Sequence, residues 1–89
     1  MVVAQRKVSV VNELGMHARP AALFVKAASK FESVIQVGKD GSPVNGKSIM
    51  GVLTLAAECG AQLTLTAEGP DAEEAVDALA NLIAKGFDE

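Results

Sequence analysis

His17 and Arg19, at the start of a helical period, are the residues whose types and spacing could do chemistry. The segment Gly15-Met16-His17-Ala18-Arg19-Pro20-Ala21-Ala22 holds the only histidine of the chain. Pro20 falls in the first turn of the expected helix, where a missing N–H costs nothing because those groups lack helical partners. The N–H groups of Ala18, Arg19 and Ala21 are expected to point outward near the imidazole, with the positive end of the helix dipole behind them. Such an end is an anion site. A neutral imidazole there is a nucleophile. Once it carries a phosphoryl group, the helix end and the Arg19 guanidinium stabilise the new charge. The chemistry implied is reversible phosphoryl transfer on nitrogen. A lone histidine at a helix start is more often a cap or a surface residue, and from these residues alone both readings stay open.

A second pattern competes. Gly41-Ser42-Pro43-Val44-Asn45-Gly46-Lys47-Ser48 matches the G-x-x-x-x-G-K-[ST] loop that cradles nucleotide phosphates. The loop needs a buried parallel strand before it and a full helix after it. Here a hairpin-like turn precedes, Gly51 interrupts the apolar segment after Ser48, and the chain is too short for a doubly wound nucleotide fold. The nucleotide reading is therefore rejected. Ser48 suits an N-cap, and the same geometry would accommodate a regulatory phosphate. Ile49 and Met50 are either core or a partly exposed docking patch. Cys59, beside Gly60, is read as a small buried residue or an incidental surface thiol and is assigned no chemistry.

The elements that must position these residues are set by periodicity. Arg6 and Lys7 lead into a strand over Val8-Ser9-Val10-Val11. Ala21, Phe24, Val25 and Ala28 form one buried helical face, closed by Phe31. Val34 to Val37 is a second strand, with Ile35 and Val37 on one side. Asp40-Gly41 is a hairpin signal, and Pro43 suits an edge position in a short third strand around Val44. Ser48 opens a short helix that ends before Gly60. Leu63, Leu65 and Ala67 alternate with Thr64, Thr66 and Glu68 in a half-exposed antiparallel strand. Asp71 with Glu74 resembles a capping box. Ala75, Val76, Leu79, Leu82 and Ile83 form the stripe of a last helix, with Gly86 as its stop. The order is βαββαβα, and strands with one polar face predict a two-layer α+β fold.

Composition narrows the function. The chain has 89 residues, 49% hydrophobic, with a mean hydropathy of +0.28, which suits one small core spanning residues 1–89. Its net charge of −3 and its lack of Trp and Tyr argue against a nucleic-acid binder. One cysteine and one histidine exclude an internal disulfide and a Cys- or His-rich metal cage. No apolar run approaches the ~20 residues of a membrane span. Met1 to Lys7 lacks the apolar stretch of a signal peptide. A cytoplasmic protein without membrane insertion, metal or cofactor is expected.

Two segments then carry a resemblance. Gly15-Met16-His17-Ala18-Arg19-Pro20-Ala21 resembles the active-site segment of the HPr family, the histidine-containing phosphocarriers of the bacterial phosphotransferase system. Lys47-Ser48-Ile49-Met50-Gly51 resembles the family's regulatory-serine segment. Spacing, length and element order agree over essentially the whole chain. The resemblance implies an open-faced β-sandwich, a four-stranded antiparallel sheet with three helices on one face. It implies phosphate on Nδ1 of His17, a stabilising role for Arg19, and a possible phosphoserine at Ser48 made by a serine kinase/phosphorylase. Ala18, Ile49 and Met50 would bind partners: enzyme I as donor, enzyme IIA domains as acceptors. The protein would act as a monomer, a stoichiometric carrier rather than an independent catalyst. Pro20 and the Ser48 segment suit the sugar-uptake branch, and Phe87-Asp88-Glu89 suits the nitrogen-related one. A regulatory binding module that never carries phosphate is the further alternative, although relatives of that kind lack the histidine.

Overall fold

A computed structural model describes residues 2–88. Met1 and Glu89, which close the expected N-terminal segment and C-terminal triplet, lie outside the described residues. The order is β1 (Val3–Ser9), α1 (Ala18–Ala28), β2 (Val34–Lys39), β3 (Ser42–Asn45), α2 (Ile49–Thr54), β4 (Gln62–Glu68) and α3 (Ala72–Ala84), with a last tight turn over Gly86–Asp88. The strands form one antiparallel sheet of order β1-β4-β2-β3.

Alternation decides which face is covered. Ala4, Ile35, Val37, Leu63, Leu65 and Ala67 are buried. Their neighbours along each strand, among them Gln5, Lys7, Gln36, Gln62 and Glu68, are exposed. The helices therefore cover one side, and the polar face stays open to solvent. Phe24 of α1, Val52 of α2, and Val76, Leu79 and Ile83 of α3 fill the layer between. Leu82 of the expected stripe is only half-buried. Phe87 is folded back into the core, so packing accounts for its presence in the C-terminal triplet.

The hairpin is as its turn chemistry predicts. Asp40 and Gly41 take φ of 54° and 80°, the paired positive values of a two-residue turn whose twist matches the flanking strands. Pro43 sits on the edge strand β3, opposite Gly38.

Two expectations are corrected. The first strand spans Val3–Ser9 rather than Val8–Val11, because β4 supplies seven partners, from Glu68 opposite Val3 to Gln62 opposite Ser9. Arg6 obscures the alternation. It points to the helix side, where it donates to Asp77 at 3.1 Å and Glu73 at 2.9 Å on α3. The capping box does not form either. Asp71 is the N-cap of α3 but makes no side-chain capping bond. Its carboxylate accepts instead from the Glu32 N–H at 2.9 Å, the Ser33 N–H at 3.0 Å and the Ser33 hydroxyl at 2.5 Å. The Ser33 hydroxyl, followed by the Glu32 amide, holds this carboxyl below its ordinary value of 3.8.

Candidate functional site

His17 is the N-cap of α1, extended at φ −83° and ψ −170°, and its ring makes no capping bond. The local sequence removes one of the two partners a cap could use. A capping side chain bonds the amide of the second or third helical residue. The third residue here is Pro20, which has no N–H. Ala18 and Arg19 are exposed first-turn residues whose amides have no intrahelical acceptor. The expected free N–H of Ala21 is a correction: it donates to the His17 carbonyl at 3.0 Å, closing the first helical bond.

The loop before His17 is held from two sides. Within it, the Gly15 N–H donates to the Asn12 carbonyl at 3.0 Å, and Asn12 Nδ2 donates to the Gly15 carbonyl at 2.5 Å. Across it, the Met16 N–H donates to the Ala57 carbonyl at 2.8 Å. Gly15 has φ +69°, and a Cβ there would stand 2.4 Å from the same Ala57 oxygen, so only glycine permits the approach. His17 is half-buried beside an open depression of about 680 Å³, lined by Glu13, Leu14, Met16, Ala56, Glu58 and Cys59 among others.

Ser48 is the N-cap of α2, and its Oγ accepts from the Gly51 N–H at 3.1 Å. Ile49 and Met50 follow and are 45% and 73% exposed, so they form surface rather than core. The structure groups His17, Ala18 and Arg19 at one helix start and Ser48, Ile49 and Met50 at another. The two helices pack together. However, the depression beside His17 reaches the segment after α2, and Ser48, Ile49 and Met50 line none of it. The six residues of α2 span about 9 Å between them.

The nucleotide pattern dissolves into separate local roles. Lys47 donates its Nζ to the Phe31 carbonyl at 2.6 Å, and Gly46 lies where a Cβ would meet Ile35 Cγ2 at 2.7 Å. Cys59 is exposed, its Sγ 3.7 Å from the Val11 carbonyl. Among the described residues no group of three or more His, Cys, Asp or Glu could hold a metal ion. No helix of the described residues is long and apolar enough to cross a membrane.

Sequence reasoning missed two features. Leu14 is 76% exposed at the rim of the depression; an apolar residue in a turn just before Gly15 was its signal. Ala56 adopts φ 50°, and nothing in its residue type announces a left-handed turn.

Comparison with known proteins identifies the family. The PTS-HPr family, described as "PTS HPr component phosphorylation site", matches residues 4–85. Phosphocarrier protein HPr of Treponema pallidum is 50% identical over 84 residues, covering 94% of this chain and 96% of that one. The crystal structure of HPr from Thermoanaerobacter tengcongensis superposes with a TM-score of 0.92 at 50% identity, covering 97% of each chain. Crh of Bacillus subtilis, a catabolite-repression protein solved as a dimer with a swapped domain, gives a TM-score of 0.76 at 46% identity, over 93% of this chain and 95% of that one. With a family match across nearly its whole length, an open sheet covered on one side by three helices, and a histidine at the start of the first of them, the chain belongs to the HPr family of the phosphotransferase system.

Proposed function

We propose that this member of a phosphocarrier family takes a phosphoryl group on Nδ1 of His17 from phosphorylated enzyme I, charged from phosphoenolpyruvate, and passes it to a histidine of an enzyme IIA domain. The nitrogen lone pair of His17 attacks phosphorus, the bond from phosphorus to the donor breaks, and its electron pair leaves with the donor. The second transfer repeats these events with His17 as leaving group. Arg19 holds charge on the phosphoryl oxygens during both. The chain is altered and restored in each cycle, so it is a stoichiometric carrier without a cofactor. It acts as one domain over residues 1–89, in the cytoplasm.

The observation that carries this reading is the position of His17 at the N-cap of α1, with its ring out of the capping role and an open depression beside it. Ala18 belongs to the surface the partners cover, as do Ile49 and Met50. Ser48 is the regulatory position, open to a serine kinase/phosphorylase. The likeness to Crh favours one second reading, a phosphate-independent regulatory binding module; a nitrogen-related regulatory phosphocarrier is the other alternative to the sugar-uptake role. That relative's swapped dimer also makes a second copy the alternative to a working monomer, which sedimentation decides.

The test is incubation with enzyme I and phosphoenolpyruvate. An acid-labile, alkali-stable phosphate on the chain is the expected product. Its absence, with enzyme I itself charged, would leave the regulatory module as the function.

A further inference from the structure

We propose, on the reading of His17 as the phosphoryl acceptor, that Lys39 is a positioning residue for His17, acting through the left-handed turn at Ala56. Ala56 stands just past the end of α2 with φ 50°, a conformation that crowds its Cβ against the following carbonyl. Its carbonyl accepts from Lys39 Nζ at 3.2 Å. Lys39 is the last residue of β2, paired with Ser42 across the hairpin, so the donor comes from a fixed element. Asp40 and Glu58 lie in the same hollow, of about 400 Å³. Among the described residues Lys39 forms an ion pair with neither. Its ammonium donates to the turn instead.

The turn aims the next residue. The Ala57 carbonyl accepts the Met16 N–H and stands against Gly15 closely enough to forbid any Cβ there. Met16 and Ala57 are each 4% exposed, so this joint is dry, and a displacement of one backbone moves the other. Met16 directly precedes His17. A chain of contacts therefore runs from the hairpin through Ala56 and Ala57 to the residue before His17. Lys39 itself does not line the depression beside His17, which separates positioning from docking.

The experiment uses Lys39→Met, Lys39→Arg, Ala56→Gly and the Lys39→Met, Ala56→Gly double variant. Transfer from enzyme I is measured under steady state, and hydrogen exchange is measured at the Met16 N–H. Lys39→Met is expected to lower the saturating rate about threefold with KM unchanged, and to speed exchange at Met16 by a similar factor. Lys39→Arg keeps both near wild type. Ala56→Gly restores both in the Lys39→Met background, because glycine takes the left-handed turn without help. Wild-type rate and exchange in Lys39→Met, a change confined to KM, or a double variant as impaired as the single one overturns the proposal. If the wild-type chain takes no phosphate, it is the carrier reading that fails. Exchange at Met16 then decides the joint alone: unchanged in Lys39→Met, it overturns the link; faster and rescued by Ala56→Gly, it supports it.

Discussion

The starts of α1 and α2 are built alike and used differently. In each, the N-cap residue is extended and its carbonyl receives the first helical bond, from Ala21 to His17 and from Val52 to Ser48. At α2 the third residue is Gly51, whose amide reaches the Ser48 hydroxyl. At α1 the third residue is Pro20, which offers no amide. The hydroxyl at one helix thus caps that helix, while the imidazole at the other makes no capping bond. The residue three places on, Gly51 at one helix and Pro20 at the other, decides whether that amide is offered to a cap. The start of α3 adds a third solution, since Asp71 turns its carboxylate away to Ser33 and Glu32.

The contrast breaks most completely at His17. His17→Ala should abolish phosphate uptake from enzyme I while the chain still folds, because His17 is half-buried at a helix start and lies outside the hydrophobic core. Undiminished uptake would move the reaction centre elsewhere. Arg19→Ala should leave phosphate acceptance possible but slow it by about 10²-fold, the usual loss on removing one preorganised charged donor. Arg19 is exposed, so the melt should not track the rate.

At α2 the outcome should invert, with binding affected rather than chemistry. Ser48→Asp keeps an oxygen acceptor for the Gly51 amide and should fold normally. Its carboxylate stands beside exposed Ile49 and Met50 and must be desolvated on docking, so KM for enzyme I should rise, by about tenfold. Met50→Glu should do the same with His17 untouched. Ser48→Ala should instead lose about 1 kcal/mol of stability with little change in transfer. Equal KM for wild type and Ser48→Asp would leave Ser48 as a cap only.

The smallest effect belongs to Asp71 and concerns stability alone. Its folded carboxyl is held below the ordinary value of 3.8, first by the Ser33 hydroxyl. A depressed folded value contributes stability above the unfolded value and loses it as pH falls through the folded one. Asp71→Asn should therefore melt lower than wild type near neutral pH, and the gap should close as pH drops below 3.8. A constant gap across that range would place the effect in packing rather than in the charge.

Much of this was legible because local patterns were left undisturbed. Leu63, Leu65 and Ala67 alternate with polar residues and are buried as a strand requires. The Asp40-Gly41 turn and the stripe of α3 come from short-range chemistry, and the His17 segment carried both its helix start and its family likeness. The features that stayed hidden depend on distant partners. Asp71 reads as half of a capping box until Ser33, 38 residues away, takes its carboxylate. Arg6 makes β1 look too polar on its inner side until Glu73 and Asp77 are brought over it. Ala56 has no local reason for φ 50°; the Lys39 contact comes from another element.

The eight-letter stretch from Gly41 to Ser48 shows how coincidence arises in protein language. Gly41 answers to a hairpin, Gly46 to the side chain of Ile35, Lys47 to a carbonyl at Phe31, and Ser48 to an amide at Gly51. Each letter serves a different neighbour, and none of the four concerns a nucleotide. Drift at any one position would erase the match while the other three kept their work. A true phosphate loop behaves in the opposite way, because one ligand supervises every letter at once. The useful question about a short motif is therefore whether its residues share a single cause.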